Sequence, residues 1–186
     1  MNILFLGYSE KETTLINFLK SRGHQLTCKK SPVNTFFDYD LVISFGYRYI
    51  IKQKQLNTLK RPIINLHTSL LPYNKGAHPN FWAHYENTPS GVSIHEIDAG
   101  VDTGPLISQK RVIFQNEAIT LQESYNLLIK VMEDLFKENI DVMERRTYQT
   151  RHLTKIGTSH KKSDLPSWVN WNMTLHEIKQ KNERSI

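Results

Sequence analysis

With 186 residues, of which 39% are apolar, the chain has enough material for one domain with a real core and too little for two comfortable ones. The net charge of +6 suits an anionic partner such as a phosphate, a carboxylate-rich cofactor or, less readily, nucleic acid, although many soluble domains carry such an excess with no partner implied. The lone Cys28 excludes an internal disulfide and a multi-cysteine metal site, which fits a reducing compartment.

The opening run Ile3 to Leu6 is broken by Gly7 and then by Glu10, Lys11 and Glu12. It is too short for a signal peptide and lacks a basic leader, and no later stretch approaches a membrane span. The expectation is a cytoplasmic protein with neither a membrane nor a nucleic-acid partner. Asn2 to Leu6 reads as a buried strand, Thr13 to Ser21 as an amphipathic helix and Gln25 to Cys28 as a second strand. Asp40 to Phe45 and Pro62 to Leu66 are two further apolar runs, with a helix expected between them over Lys52 to Leu59. Short apolar runs interleaved with helices predict an α/β, Rossmann-like, doubly wound and mostly parallel sheet. In such sheets ligands bind beyond the carboxyl ends of the strands. Gly7 to Glu10 lies at one such end but lacks the GxGxxG spacing of a dinucleotide site.

From Gly91 the pattern changes to a hairpin-like pair, Val92 to Ile97 and Pro105 to Ile113, joined by the turn-rich Asp98 to Gly104. A long helix follows, because Leu121, Tyr125, Leu128, Val131, Met132, Leu135 and Phe136 recur at helical spacing. Beyond Arg145 the chain is polar and basic until Thr174 and Glu177 make a capping-box start for a last short helix ending near Lys181. The expected division is a catalytic domain over residues 1–145 and a short extension, 146–186, packed on it. Trp168 and Trp171 are expected to anchor that extension on the core or on a second copy in a homodimer.

The chemistry-bearing stretch is Asn65 to Pro79. On a strand, residues two apart point the same way, so Asn65 and His67 present their side chains to one side at the strand exit. Ser69 to Pro72 continues as a rigid loop, Gly76 permits a close backbone approach, and the second loop brings Asp98 and Asp102. Amide, imidazole and carboxylate suit acyl transfer to an amine, where an oxyanion needs a donor and the attacking nitrogen must lose a proton. Metal binding competes poorly, since His67, His78, His84 and His95 lack HxxxH or HExxH spacing. A Ser69–His67–Asp102 triad ranks low without nucleophile-elbow glycines. His95 faces either the cleft or the hairpin interior. Tyr8, Tyr73, Lys75, Gly76 and Trp82 are candidates for the acceptor side, and Arg48 with Lys75 for a phosphate clamp.

Asn65 to Pro72, followed by Gly91 to His95 and Asp98 to Gly104, resembles the formyltransferase family that uses 10-formyltetrahydrofolate, over about Asp40 to Val112. The resemblance implies that Asn65, His67 and Asp102 form the catalytic set. Asn65 and a protonated His67 would then steady the oxyanion, with Asp102 orienting His67 or relaying a proton. It also implies a pterin pocket built from Phe45, Gly46, Tyr47, Arg48, Tyr49 and Ile51 and from the loop residues Asp98, Ala99 and Gly100, with no metal. The segment before Asn65 lacks the glycine-rich phosphate loop of glycinamide ribonucleotide members, and the residues after Arg145 are too few for the barrel of initiator-tRNA members. Compact members are the better comparison, which makes the amine of a nucleotide-linked amino sugar the first expectation. A carrier-bound aminoacyl group comes second, followed by a formyltetrahydrofolate hydrolase and a non-enzymatic folate-binding protein.

Overall fold

In the computed structural model, which describes residues 1–57, 59 and 61–183, the apolar runs assemble into one six-stranded sheet. Its strands are β1 (Asn2–Gly7), β2 (Gln25–Lys29), β3 (Leu41–Phe45), β4 (Ile63–His67), β6 (Ser90–Glu96) and β7 (Leu106–Val112), in the spatial order β2-β1-β3-β4-β6-β7. The first four are parallel, β6 runs antiparallel to β4, and β7 runs antiparallel to β6. This is the Rossmann-like, mostly parallel α/β sheet expected from the sequence.

Strand alternation divides the side chains between two faces. Ile3, Phe5, Ile43, Phe45, Ile64, Leu66, Val92 and Ile94 join one core cluster with residues of α1 (Leu15–Ser21) and α4 (Leu121–Arg145). Leu4, Leu6, Val42 and Ile63 belong to a cluster on the opposite face, with Phe36 and Ile51. Burial on both faces explains why β1 and β3 read as near-continuous apolar runs. At β4 and β6 the second face changes character. Asn65 lies opposite His95 and His67 opposite Ser93, so that half of the face is polar and is covered by loops.

The helix expected from Thr13 starts at Leu15, because Glu133 of α4 takes over the role of a cap. Its carboxylate accepts from the Thr13 hydroxyl at 2.6 Å, from the Thr14 N–H at 2.8 Å and from the Thr14 hydroxyl. Helix α4 begins at a capping box in which Thr120 Oγ1 accepts from the Glu123 N–H at 3.1 Å and Glu123 accepts from the Thr120 N–H at 2.7 Å. It buries Leu128, Met132, Leu135 and Phe136 against the sheet, each contributing roughly 1.5–3 kcal/mol of transfer free energy. The helix expected over Lys52 to Leu59 shortens to α2 (Gln53–Leu56), with Lys52 as its N-cap and Leu59 outside it, packed on the second cluster. Thr58 and Lys60, which the expected helix spans or abuts, lie outside the described residues.

Two elements are not evident from the sequence. One is α3 (Pro79–Tyr85), where Asn80 to His84 are all buried and no polar stripe marks a helical period. The other is a parallel pair of two-residue strands, β5 (Lys75–Gly76) and β8 (Ser159–His160). After Arg146 the chain passes back over the core. Arg151 exchanges backbone hydrogen bonds with Leu106, and α5 (Leu175–Glu183) starts at the expected Thr174–Glu177 capping box and buries Leu175 and Ile178. Trp168 meets Phe81 edge-on at 5.8 Å, and Trp171 meets Tyr125 at 5.7 Å. Among the described residues no helix is long and apolar enough to cross a membrane.

Candidate active site

The polar half-face of β4 and β6 collects Asn65, His67 and His95, and the loop after β6 folds back over it to deliver Asp102. That loop is shaped by Asp98, whose Oδ1 accepts from the Gly100 N–H at 3.0 Å and from the Thr103 hydroxyl at 2.6 Å. Asp102 itself has φ 51°, in the left-handed region that Asp and Asn visit more readily than most side chains. Its carboxylate is the centre of the cluster. Oδ1 accepts from Asn65 Nδ2 at 3.2 Å and lies 3.4 Å from His95 Nε2. Oδ2 accepts from the Gly76 N–H at 2.8 Å and lies 3.5 Å from His67 Nε2.

These contacts fix the hydrogens of the site. His95 Nδ1 donates to the Glu96 carbonyl at 2.8 Å, so in the neutral ring Nε2 is an acceptor and receives the second Asn65 Nδ2 hydrogen at 3.1 Å. Both amide hydrogens of Asn65 are therefore held, one by His95 and one by Asp102. His67 Nε2 faces two acceptors, the Asn74 carbonyl at 3.3 Å and Asp102, so Nε2 carries the hydrogen. Nδ1, the other ring nitrogen, is then the basic one. Burial pushes the His67 imidazole below its ordinary pKa, and Asp102 opposes this. Burial also opposes ionisation of Asp102. His67 and His95 in their protonated forms, together with the Gly76 N–H, outweigh that and hold the carboxyl below its usual range.

Of the three residues expected to be catalytic, Asn65 and His67 are thus each within hydrogen-bonding or ion-pairing distance of the third, Asp102. His95, left open by the sequence, stands among them. Its alternation with Val92 and Ile94 is the signal that would have aimed it at the polar face. The alternative triad finds no geometry, since the Ser69 hydroxyl donates to the Tyr73 carbonyl.

The expected pterin segment divides by exposure. Gly46, Arg48, Tyr49, Ala99 and Gly100 are exposed, and Tyr47 and Asp98 are half-buried. Phe45 and Ile51 correct the expectation: Phe45 faces the α1–α4 core, and Ile51 is buried in the second cluster. Tyr47 packs on that same cluster, as does Ile97, which leads into the Asp102 loop. Gly46 has φ 69°, and a Cβ there would enter the Tyr8 ring. On the expected acceptor side, Tyr8 is half-buried, edge-on to Phe45 at 4.8 Å and hydroxyl-bonded to Tyr125. Tyr73, Lys75 and Gly76 line the loop beside His67 and are half-buried. Trp82 is a second correction, being 7% exposed and stacked on His160 at 3.9 Å in a core cluster with Phe81 and Ile178. No group of three or more His, Cys, Asp or Glu among the described residues is arranged to hold a metal ion.

Residues 17–138 match the pattern of the formyl transferase family. The chain is 34% identical over 148 residues to the methionyl-tRNA formyltransferase of Thermodesulfovibrio yellowstonii, covering 76% of this chain and 46% of that protein. It is 36% identical over 105 residues to the GDP-perosamine N-formyltransferase of Brucella melitensis, covering 53% and 40%. The chain spans about half the length of the curated relatives it matches. The formyltransferase PseJ from Anoxybacillus kamchatkensis, crystallised with UDP-4,6-dideoxy-4-formamido-L-AltNAc and tetrahydrofolate, superposes with a TM-score of 0.88 at 34% identity, over 98% of this chain and 100% of that one. The amide, imidazole and carboxylate gathered on β4 and its neighbouring loops therefore stand in a chain that belongs to the formyl transferase family.

Proposed function

We propose that the protein moves a formyl group from 10-formyltetrahydrofolate to the primary amine of a nucleotide-linked amino sugar. The observation that carries this reading is the likeness to PseJ, at 34% identity along essentially the whole of both chains, since that protein was crystallised with a formamido nucleotide sugar and tetrahydrofolate. The donor supplies an activated formyl carbon, and the chain supplies the groups around it. Neutral His67, with Nε2–H held by Asn74 and Asp102, has Nδ1 available to accept the proton that the attacking amine must lose. Asn65 can turn one amide hydrogen from Asp102 or His95 to the oxygen that gains charge, and a donor of this kind typically lowers the barrier by about 3 kcal/mol. Ionised Asp102 holds Asn65, Gly76 and His67 in one arrangement. Exposed Tyr49, Ile50 and Val101 give the edge of the expected pocket an apolar surface suited to a flat ring.

The test is incubation with 10-formyltetrahydrofolate and separate acceptors: UDP-, dTDP- and GDP-linked amino sugars, initiator methionyl-tRNA and an aminoacyl carrier protein. Mass spectrometry should find one formyl group added to a nucleotide-linked sugar. Formylation of the tRNA or the carrier alone overturns the acceptor class, and formate release without any acceptor points to a hydrolase.

A further inference from the structure

We propose that the segment Gly157–His160 belongs to the catalytic apparatus, and that Thr158 is a positioning residue which, through Asn74, sets which ring nitrogen of His67 carries the hydrogen. The inference rests on the formyl-transfer reading of the same site.

The stretch Asn74–Gly76 touches the catalytic groups at two points. The Asn74 carbonyl faces His67 Nε2, and the Gly76 N–H donates to Asp102. Its outer side is held by the tail. The Thr158 hydroxyl oxygen accepts from the Asn74 N–H at 2.9 Å, the Lys75 N–H donates to the Thr158 carbonyl at 3.0 Å, and the Ala77 N–H donates to the His160 carbonyl at 2.9 Å. Asn74 is 1% exposed and has φ 54°, so both its side chain and its backbone are confined. With its amide oriented so that every contact pairs a donor with an acceptor, Nδ2 donates to Thr158 Oγ1 at 2.8 Å and to Glu86 Oε2 at 3.2 Å. Oδ1 then accepts from the Thr88 hydroxyl at 2.7 Å and from the Ala83 N–H at 3.2 Å.

Glycines allow close approach within this contact and just before it. A Cβ on Gly76 would collide with the His160 carbonyl oxygen, and one on Gly157 with the Pro72 carbonyl oxygen. Glu86 lies 3.1 Å from His160 Nε2, and the His160 ring stacks on Trp82, which ties the clamp to α3. The Thr158 hydroxyl is thus the acceptor for two hydrogens of the residue whose carbonyl faces His67. Without it, Asn74 has two buried donors to satisfy, the peptide whose carbonyl faces His67 is held to the tail only by the Lys75 N–H bond to the Thr158 carbonyl, and that carbonyl shifts as the donors turn to other partners. His67 Nε2 then loses one of the two acceptors that keep its hydrogen there.

Thr158→Val keeps the branched shape and removes the acceptor, while Thr158→Ser keeps the hydroxyl. Both are compared with the unaltered protein by steady-state kinetics, by the pH profile of kcat and by nitrogen NMR of ring-labelled histidine, with 5-formyltetrahydrofolate affinity as the control for pocket integrity. The expected result for Thr158→Val is a kcat lower by roughly tenfold or more, with KM and folate affinity retained, a displaced pH profile and His67 signals moved toward the Nδ1–H form. Thr158→Ser should restore all of these. Wild-type kcat with unchanged His67 signals in Thr158→Val overturns the proposal. So does an equal loss in Val and Ser accompanied by lost folate affinity, the mark of a purely structural contact. If Thr158→Val does not fold, Thr158→Ala is read by the same signals and must move them in the same direction. The tautomer readout needs no turnover, so an absence of formyl transfer in the unaltered protein would refute the activity and still leave the positioning test decisive.

Discussion

His84 should make the fold sensitive to mild acid. It lies on α3 with 4% of its surface exposed, its Nε2 buried without a partner and its ring edge-on to Phe114 at 5.0 Å. Burial, assisted by the charge of Lys179 and opposed by Glu117, lowers its pKa from 6.5 to about 4. Between those values the unfolded chain binds a proton that the folded one refuses, so stability falls as pH drops through that interval and levels off below about 4. At ~1.4 kcal/mol for each tenfold change in proton affinity, the loss amounts to about 3 kcal/mol. Replacing His84 with Leu removes the titrating group and its orphaned nitrogen. The variant should therefore match the unaltered protein within about 1 kcal/mol above pH 6.5 and exceed it by about 3 kcal/mol near pH 4. Urea denaturation of both proteins across this range measures the difference. His67 is shifted in the same direction but is present in both, so its effect cancels. A difference that stays constant with pH refutes the reasoning.

Asp102→Asn keeps one acceptor oxygen, for Asn65 or for Gly76 but not for both, and loses the negative charge beside His67. It should lower single-turnover transfer by roughly a hundredfold while calorimetric folate binding is retained. Asp98→Asn, by contrast, touches a carboxylate whose contacts only shape the loop, so transfer at a wild-type rate in Asp102→Asn with a loss in Asp98→Asn would move the catalytic role to Asp98. Glu133→Gln removes the charge that receives the Thr13 and Thr14 hydroxyls and the Thr14 N–H. It should cost about 2 kcal/mol in urea denaturation, and an unchanged midpoint would show that water replaces this cap.

Much of the sheet is legible because β1 and β3 are buried on both sides and read as apolar runs, interrupted only by Ser44 between Leu41 and Phe45. The pairing of Asn65 with His67 is legible because they sit two apart on a strand, whereas spacing leaves Asp98 and Asp102 equal and only the family resemblance singles out Asp102. What the sequence hides has physical causes. Helix α3 buries Asn80 and His84 along with Phe81 and Trp82, so it carries no polar face to set the period, and Trp82 looks like a ligand contact when it is core. Ile50 and Ile51 are adjacent and chemically identical, yet one is 78% exposed and the other 7%, a difference decided by the second-face cluster rather than by local pattern. The β5–β8 pair is too short to leave any periodic trace, and Asn74 and Thr158 become partners only through long-range folding. His95 is ambiguous in the sequence because a single histidine in an alternating strand gives its side only once the apolar face is assigned.

The span of that last contact bears on how the protein comes off the ribosome. Asn74 and Thr158 are 84 positions apart, whereas β3, β4 and their link lie within a single short stretch of chain. Contacts between distant residues close late, since the loop between them must be ordered first. A growing chain that has already laid down β1 to β4 still lacks the segment that grips the loop beside His67. The loop beside His67 therefore gains its outer grip only after residues 157–160 have been made, later than the strand that carries His67 itself.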